Sequence, residues 1–197
     1  MTEQERYAHL WETQREREEI YDGVILHVVR DTVTLPNGKP ATREVALHNG
    51  AVCVVPLTED GCVILEEQFR YPMNGVLTEI PAGKTDKGED PFRAAKRELR
   101  EETGLLAQKW TYLGEYYPSP AILSEKIQMY LAEDLSQDEN DPDEDEFLTV
   151  RRVPFGDAVA SVLRGEIPDG KTQCALLRVD ALLRARETEN DENAKEN

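Results

Sequence analysis

Basic residues and cysteines are in short supply in this 197-residue chain. It carries 23 lysines and arginines against 40 aspartates and glutamates, a formal net charge of −17. Nucleic acids and anionic membrane surfaces attract clustered positive charge, so this balance argues against both as partners. The three cysteines, Cys53, Cys62 and Cys174, have no paired spacing. We therefore expect them to be reduced thiols of the core.

Long apolar runs are also absent. No stretch approaches the roughly 20 apolar residues that a membrane span requires. The first residues, MTEQERYAHLWETQ, have neither the apolar run nor the small-residue cleavage site of a signal peptide. We therefore expect a cytoplasmic protein that does not associate with a membrane.

The acidic residues are concentrated in three stretches. These are residues 1–20, the segment 133–146, and residues 187–197. The rest of the chain is close to neutral. The distribution predicts a balanced globular body that carries an acidic N-terminal arm or helix over 1–20, an acidic loop, and a disordered acidic tail over 187–197.

Strand signals occur on both sides of one clear helix. Asn37-Gly38 lies between two β-branched runs and predicts a hairpin over Val24–Arg30 and Thr42–His48. Other strand-like runs lie at Ala51–Leu57, Cys62–Phe69, Val76–Ile80, Trp110–Tyr116, Lys126–Ala132 and Phe147–Val153. This order predicts an α+β fold layered around a mixed sheet.

The helix signals are equally local. Asp90 as the N-cap, Pro91 at the first helical position and Gly104 after the last turn predict a central helix between them. Two further helices are predicted at 155–164 and 171–186.

The central helix carries three glutamates on one side. Glu98 and Glu102 are four residues apart and Glu101 is three residues from Glu98, so the three side chains project in similar directions. Like charges this close destabilise a helix unless they are neutralised, and three oxygen ligands with open positions suit Mg²⁺ or Mn²⁺. The alternative is a solvated charged face, in which Arg97 pairs with Glu101 at the surface.

The spacing around these glutamates resembles the signature of the Nudix hydrolase family. Residues 83–105 read GKTDKGEDPFRAAKRELREETGL and meet G-x5-E-x7-R-E-U-x-E-E-x-G-U, with U aliphatic, at every position. The resemblance implies a Nudix-type α/β/α sandwich with a mixed β-sheet and an N-terminal β-hairpin extension. It also implies hydrolysis of a diphosphate linked to another moiety.

The resemblance assigns roles to the residues of this motif. Glu98, Glu101 and Glu102 are expected to be catalytic and, with the carbonyl of Ala82, to bind Mg²⁺, with Mn²⁺ as the alternative. Arg97 is expected to hold the site in register by pairing with a neighbouring carboxylate such as Glu89.

The flanking segments resemble the ADP-ribose pyrophosphatase branch of the family. The matching segments are VILEEQFR at 63–70, LTEIPAG at 77–83 and YPSP at 117–120. The resemblance implies cleavage of ADP-ribose to AMP and ribose 5-phosphate, with other nucleoside diphosphate sugars as further substrates. The residues that it implicates in substrate binding are Arg70, Glu79, Arg43, Glu44 and Pro120.

The branch also suggests an assembly and a general base. A homodimer is expected, with 21–48 as the dimerisation element and 49–186 as the hydrolase domain. Glu144 and Glu146 of the acidic loop match the position of a glutamate that reaches the metal and acts as the base. For either residue, an ordinary solvated loop position is the alternative. The alternatives for the whole chain are a Nudix hydrolase specific for GDP-mannose or another nucleotide sugar, and a ligand sensor without turnover.

Overall fold

The computed structural model describes residues 2–138 and 147–196. Within these ranges the strands are β1 (Thr13–Asp22), β2 (His27–Thr34), β3 (Pro40–Leu47), β4 (Ala51–Pro56), β5 (Cys62–Arg70), β6 (Gly75–Glu79), β7 (Ala82–Lys84), β8 (Leu105–Tyr116), β9 (Ile127–Gln137) and β10 (Leu148–Pro154). The α-helices are α1 (Glu3–Arg6), α2 (Pro91–Thr103), α3 (Phe155–Leu163) and α4 (Gly170–Glu196).

The first compact unit is built on a three-stranded antiparallel sheet. It comprises the described residues up to Asn49 together with Tyr117–Glu125, and its strand order is β1-β2-β3. The predicted hairpin is present as β2 and β3, and Gly38 in its turn has a φ of +80°, which glycine adopts without strain. The Tyr117–Glu125 segment joins this sheet through Ala46, whose N–H donates to the Ile122 carbonyl at 2.8 Å.

The N-terminal segment differs from its predicted form. A helix or arm was expected over residues 1–20, but the helix covers only Glu3–Arg6 and β1 runs across the boundary at residue 20. Every side chain of β1 is exposed. The segment therefore lacks the alternation of apolar and polar residues from which a strand can be predicted. It forms because the edge of β2 offers backbone partners and because Arg17 pairs with the buried Asp31 at 2.7 Å.

The second unit contains the remaining described residues and two sheets. One sheet has the order β7-β4-β9-β8 and is mixed, because β4 and β9 run parallel while the outer pairs are antiparallel. The other has the order β10-β5-β6 and is antiparallel.

Both faces of the mixed sheet are buried. In β4, Cys53 and Val55 pack toward a core that includes residues of α3 and α4, whereas Val52 and Val54 pack with Ala95 and other residues of α2. Successive strand residues point to opposite faces, so a strand that is apolar throughout needs helices on both sides. The expected α/β/α sandwich with a mixed sheet is confirmed.

The predicted bounds of α2 are also confirmed. The Asp90 carboxylate accepts from the Arg93 N–H at 3.0 Å, Pro91 begins the helix, and Gly104 ends it with a φ of +67°. In contrast, α4 continues to Glu196 instead of giving way to a disordered tail at 187–197. Glycine and proline are absent from residues 171–196, so nothing in the sequence stops the helix once packing of its first turns has nucleated it. Among the described residues, no helix combines the length and apolar character needed to cross a bilayer.

Candidate active site

Two glutamates of α2 are almost completely buried. Glu98 is 7% exposed and Glu102 is 2% exposed, whereas Glu101 is partly accessible. A buried carboxylate is costly unless charges and donors compensate it, so this burial is not that of an ordinary solvated helix face.

The backbone of β7 lies directly against these two carboxylates. The Ala82 N–H donates to Oε2 of Glu102 at 2.9 Å. A Cβ added to Gly83 would stand 2.0 Å from the carboxylate carbon of Glu98. Glycine at position 83 leaves room for the Glu98 carboxylate, which occupies the space that a Cβ would need. Pairing of Ala82 and Gly83 with Cys53 and Val52 of β4 holds β7 in this position.

Arg97 joins the loop before α2 to the glutamates of the helix. Its guanidinium donates to both oxygens of Glu89 at 3.1 Å, to Glu98 at 2.8 Å and to Glu101 at 2.9 Å. A further hydrogen bond reaches the Lys84 carbonyl at 3.1 Å. The hydrogen bonds that Arg97 donates to Glu89, followed by the charge of Glu98 and the hydrogen bond to Glu101, raise the pKa of Arg97. Arg97 in turn lowers the pKa of Glu89. The predicted contact between Arg97 and Glu89 is present, and one guanidinium hydrogen-bonds to three carboxylates, so their negative charge is only partly offset.

A second polar cluster surrounds Glu79, which is 1% exposed at the end of β6. Arg70 binds it in a two-pronged pair, with Nε at 2.7 Å from Oε1 and Nη2 at 2.8 Å from Oε2. Lys171 also donates to Glu79 Oε2, and its ammonium lies 3.1 Å from Asp169. Burial by itself raises the pKa of Glu79, but the hydrogen bonds and positive charges of Arg70 and Lys171 outweigh it and leave this pKa below its ordinary value.

Sequence reasoning missed Lys171 and Asp169. Asp169 has a recognisable local signal, because it stands three residues before Thr172 at the start of an apolar helix and accepts from the Thr172 N–H at 2.9 Å. Lys171 has no such signal, since its partner Glu79 is 92 residues away along the chain.

The remaining predicted residues fall elsewhere. Arg43 and Glu44 lie on β3 and Pro120 lies in the Tyr117–Glu125 segment, so all three belong to the first unit, whereas the α2 glutamates belong to the second. Arg43 binds Glu12 at 2.5 Å, and Glu44 binds Arg30 at 2.9 Å.

Two predicted residues cannot be placed by the structure. Glu144 and Glu146, the candidates for the general base, lie outside the described residues.

The donors around α2 suit a hard divalent cation. They are carboxylate and backbone oxygens without nitrogen or sulfur, and the close approach of Gly83 to Glu98 brings the β7 backbone against the carboxylates. Within residues 2–138 and 147–196, no three histidine, cysteine or acidic side chains are grouped closely enough to form a metal site by themselves.

Comparison with known proteins gives two consecutive matches along the chain. Residues 12–46 match the nucleoside diphosphate sugar hydrolase N-terminal domain, and residues 47–174 match the NUDIX domain. The junction between them lies at the end of β3.

Individual relatives agree with these matches. The ADP-ribose pyrophosphatase of Bacillus subtilis (strain 168) is 42% identical over 162 residues, covering 81% of this chain and 88% of that protein. The GDP-mannose pyrophosphatase of Yersinia pestis (strain Pestoides F) is 38% identical over 134 residues, covering 63% of this chain and 67% of that protein. A crystal structure described as an ADP compounds hydrolase superposes with a TM-score of 0.80 at 26% identity, over 90% of this chain and 97% of that one.

Proposed function

The chain belongs to the NUDIX domain family, which confirms the resemblance predicted from its sequence, and we propose that it hydrolyses the diphosphate bond of ADP-ribose. The products are AMP and ribose 5-phosphate, and other nucleoside diphosphate sugars are further substrates. The Bacillus subtilis relative, named an ADP-ribose pyrophosphatase and matched over most of both chains, supports this choice.

The observation that carries the proposal is the pair of buried carboxylates, Glu98 and Glu102, laid against the backbone of β7. Nudix hydrolases generally use divalent metal ions, and we propose Mg²⁺, with Mn²⁺ as the alternative. Glu98, Glu101, Glu102 and the carbonyl of Ala82 are the proposed ligands. A bound divalent cation supplies Lewis acidity, offsets phosphate charge and lowers the pKa of water.

The protein's own residues orient these ligands and the substrate. Arg97 holds Glu98 and Glu101 in fixed directions through its hydrogen bonds to both. On the substrate side, Arg70, fixed by Glu79, binds a diphosphate oxygen. Glu144 and Glu146 remain proposals for the general base, based on their match to the branch.

Arg43, Glu44 and Pro120 are proposed substrate-binding residues on the strength of the resemblance to the branch. The chain is proposed to form a homodimer through 21–48. No nucleic-acid partner is expected, in view of the net charge of −17. The cytoplasm is the proposed location, consistent with the three cysteines, which are free thiols.

Release of phosphate from AMP and ribose 5-phosphate by an added phosphatase measures the proposed reaction, with and without Mg²⁺. Glu102→Gln is expected to lower kcat/KM by about 10³-fold, because electrostatic stabilisation of the transition state is lost. Glu166→Gln is the matched control, since Glu166 forms an exposed ion pair with Arg164. Unchanged turnover in Glu102→Gln would contradict the proposed site, and binding of ADP-ribose without cleavage by the wild-type protein would favour a sensor.

GDP-mannose is the second candidate substrate because the Yersinia relative carries that name at 38% identity. A comparison of kcat/KM for ADP-ribose and GDP-mannose, each with Mg²⁺, separates the two candidates. A higher value for the guanine nucleotide would overturn the choice of ADP-ribose.

A further inference from the structure

Lys171 is a largely but not fully buried lysine, and its ammonium group is paired with two carboxylates. Its side chain is 12% exposed, and its ammonium group donates to Glu79 and Asp169. Burying an ammonium group is unfavourable unless its partners are well placed. Burial lowers the pKa of Lys171, but the charges of Asp169 and Glu79 outweigh it and keep the pKa above its ordinary value. The lysine is thus a charged member of the cluster.

Two adjacent residues in the first turn of α4 form hydrogen bonds with residues at the end of β6. Lys171 binds the Glu79 side chain, and the hydroxyl of the next residue, Thr172, accepts from the Ile80 N–H at 3.0 Å. Asp169 completes the arrangement, because it accepts from the Thr172 hydroxyl at 2.6 Å and from Lys171 at 3.1 Å. These contacts fix where the Glu79 carboxylate lies.

Glu79 in turn fixes Arg70. The arginine uses Nε and Nη2 on the two oxygens of Glu79, and among the described residues its third nitrogen, Nη1, makes no hydrogen bond. The Arg70 side chain is 38% exposed, whereas the side chain of Lys171 is 12% exposed and that of Glu79 is 2% exposed. Arg70 is therefore the member of the cluster that can meet an anionic ligand.

We infer that Lys171 is a positioning residue, which holds the Arg70 guanidinium through Glu79 and so sets how tightly the substrate diphosphate binds. The inference rests on the proposed function, in which Arg70 binds a diphosphate oxygen. Without Lys171, two carboxylates, Glu79 and Asp169, face a single cation. Glu79 loses one of its donors, so its carboxylate and the Arg70 guanidinium paired with it are held less firmly.

Steady-state kinetics with ADP-ribose and Mg²⁺ test this role. Lys171→Met is expected to raise KM by about 10-fold to 100-fold with little change in kcat, because it weakens binding without removing a group at the reacting bond. Lys171→Arg, which keeps the charge, is expected to recover most of the lost affinity. Lys171→Gln provides the same test if the methionine variant fails to fold.

A double-mutant cycle with Glu79→Gln separates positioning from general stabilisation. If Lys171 acts through Glu79, Lys171→Met adds less than about twofold to KM in the Glu79→Gln background. The inference would be overturned if the KM of the double variant were raised by the full product of the two single-variant factors. An unchanged KM in Lys171→Met would also overturn it. Thermal unfolding of each variant is measured in parallel, and a lowered midpoint with wild-type KM also counts against the inference.

Lys109→Met is the matched control. Lys109 donates to Glu133, which Arg186 also binds, so this carboxylate likewise receives one lysine and one arginine, and the Lys109 side chain is 52% exposed. Its KM is expected to equal that of the wild type. Absence of ADP-ribose turnover in the wild-type protein would refute the proposed substrate separately, and the Lys171 comparison would then be made with GDP-mannose.

Discussion

Replacement of Gly83 by alanine is expected to abolish most of the activity while leaving the fold in place. An alanine Cβ would stand 2.0 Å from both the carboxylate carbon and Oε1 of Glu98, whereas ordinary contact begins at 3.4 Å. The Glu98 carboxylate must therefore withdraw by about 1.4 Å. The φ of Gly83 is not in the positive region, so the backbone itself accepts alanine without strain.

We expect a small effect of Gly83→Ala on stability and a large effect on activity, because the added Cβ collides with the Glu98 carboxylate. The colliding group is the end of a flexible glutamate side chain, so we expect a loss of about 1 kcal/mol in unfolding free energy, at the low end for overpacking. A displacement of about 1 Å at a catalytic group can cost about 100-fold in rate. Gly83→Ala is therefore expected to lower kcat/KM for ADP-ribose by about 100-fold.

Gly156→Ala is the matched control. Gly156 lies in α3 with no atom within 4 Å of the added Cβ and no positive φ. Alanine there is expected to leave kcat/KM unchanged and to stabilise the helix by up to about 1 kcal/mol. Urea unfolding and the phosphatase-coupled assay measure both quantities for both variants. Wild-type kcat/KM in Gly83→Ala would refute the assignment of Glu98 to the site.

Two further predictions concern the ion pairs. Arg97→Lys is expected to lower kcat/KM by about 10-fold to 100-fold, because a lysine cannot reproduce the two-pronged contact with Glu89 while also reaching the helix glutamates. For Glu79, burial raises the pKa, but the hydrogen bonds and charges of Arg70 and Lys171 lower it below the ordinary 4.5. The unfolded chain then binds more protons, so this contribution to stability is present above pH 4.5 and is lost as the pH falls through the folded-state pKa. Urea unfolding between about pH 7 and pH 3 is expected to show this decline, and Glu79→Gln to reduce its slope.

Controls for these predictions come from exposed pairs. Arg164→Lys, at a surface pair with Glu166, is expected to keep the wild-type kcat/KM. Activity of Arg97→Lys equal to that of this control would contradict the role given to Arg97. A Glu79→Gln variant whose stability declines with acid as steeply as the wild type would contradict the lowered pKa of Glu79.

Features that depend on near neighbours in the chain were predictable from the sequence. Asp90, Pro91 and Gly104 define the bounds of α2 because capping and the left-handed conformation act within one turn. The spacing of Glu98 and Glu102 places them on one helix face for the same reason.

The pairing of the strands could not be predicted from the amino-acid sequence. The apolar runs of β4 and β5 follow each other in the sequence, yet β4 pairs with β7 and β9 while β5 pairs with β6 and β10. A strand's backbone donors do not specify which other strand accepts them, so pairing depends on how both faces are covered. The strand β1 illustrates the same limit, because its exposed side chains carry no apolar pattern.

The family, the layered α+β fold and the helix that carries the buried glutamates could all be predicted from the order of residues. The position of Glu98 beside Gly83, and the pairing of Lys171 with Glu79 over 92 residues of chain, became evident from the three-dimensional arrangement. The two groups of features differ in the distance along the chain over which the determining interactions act. Helix caps, turns and i to i+4 spacing are set by bonds within a few residues. A buried charge, in contrast, pairs with a residue that can be far away in the sequence, because packing of the core determines which segments lie next to it.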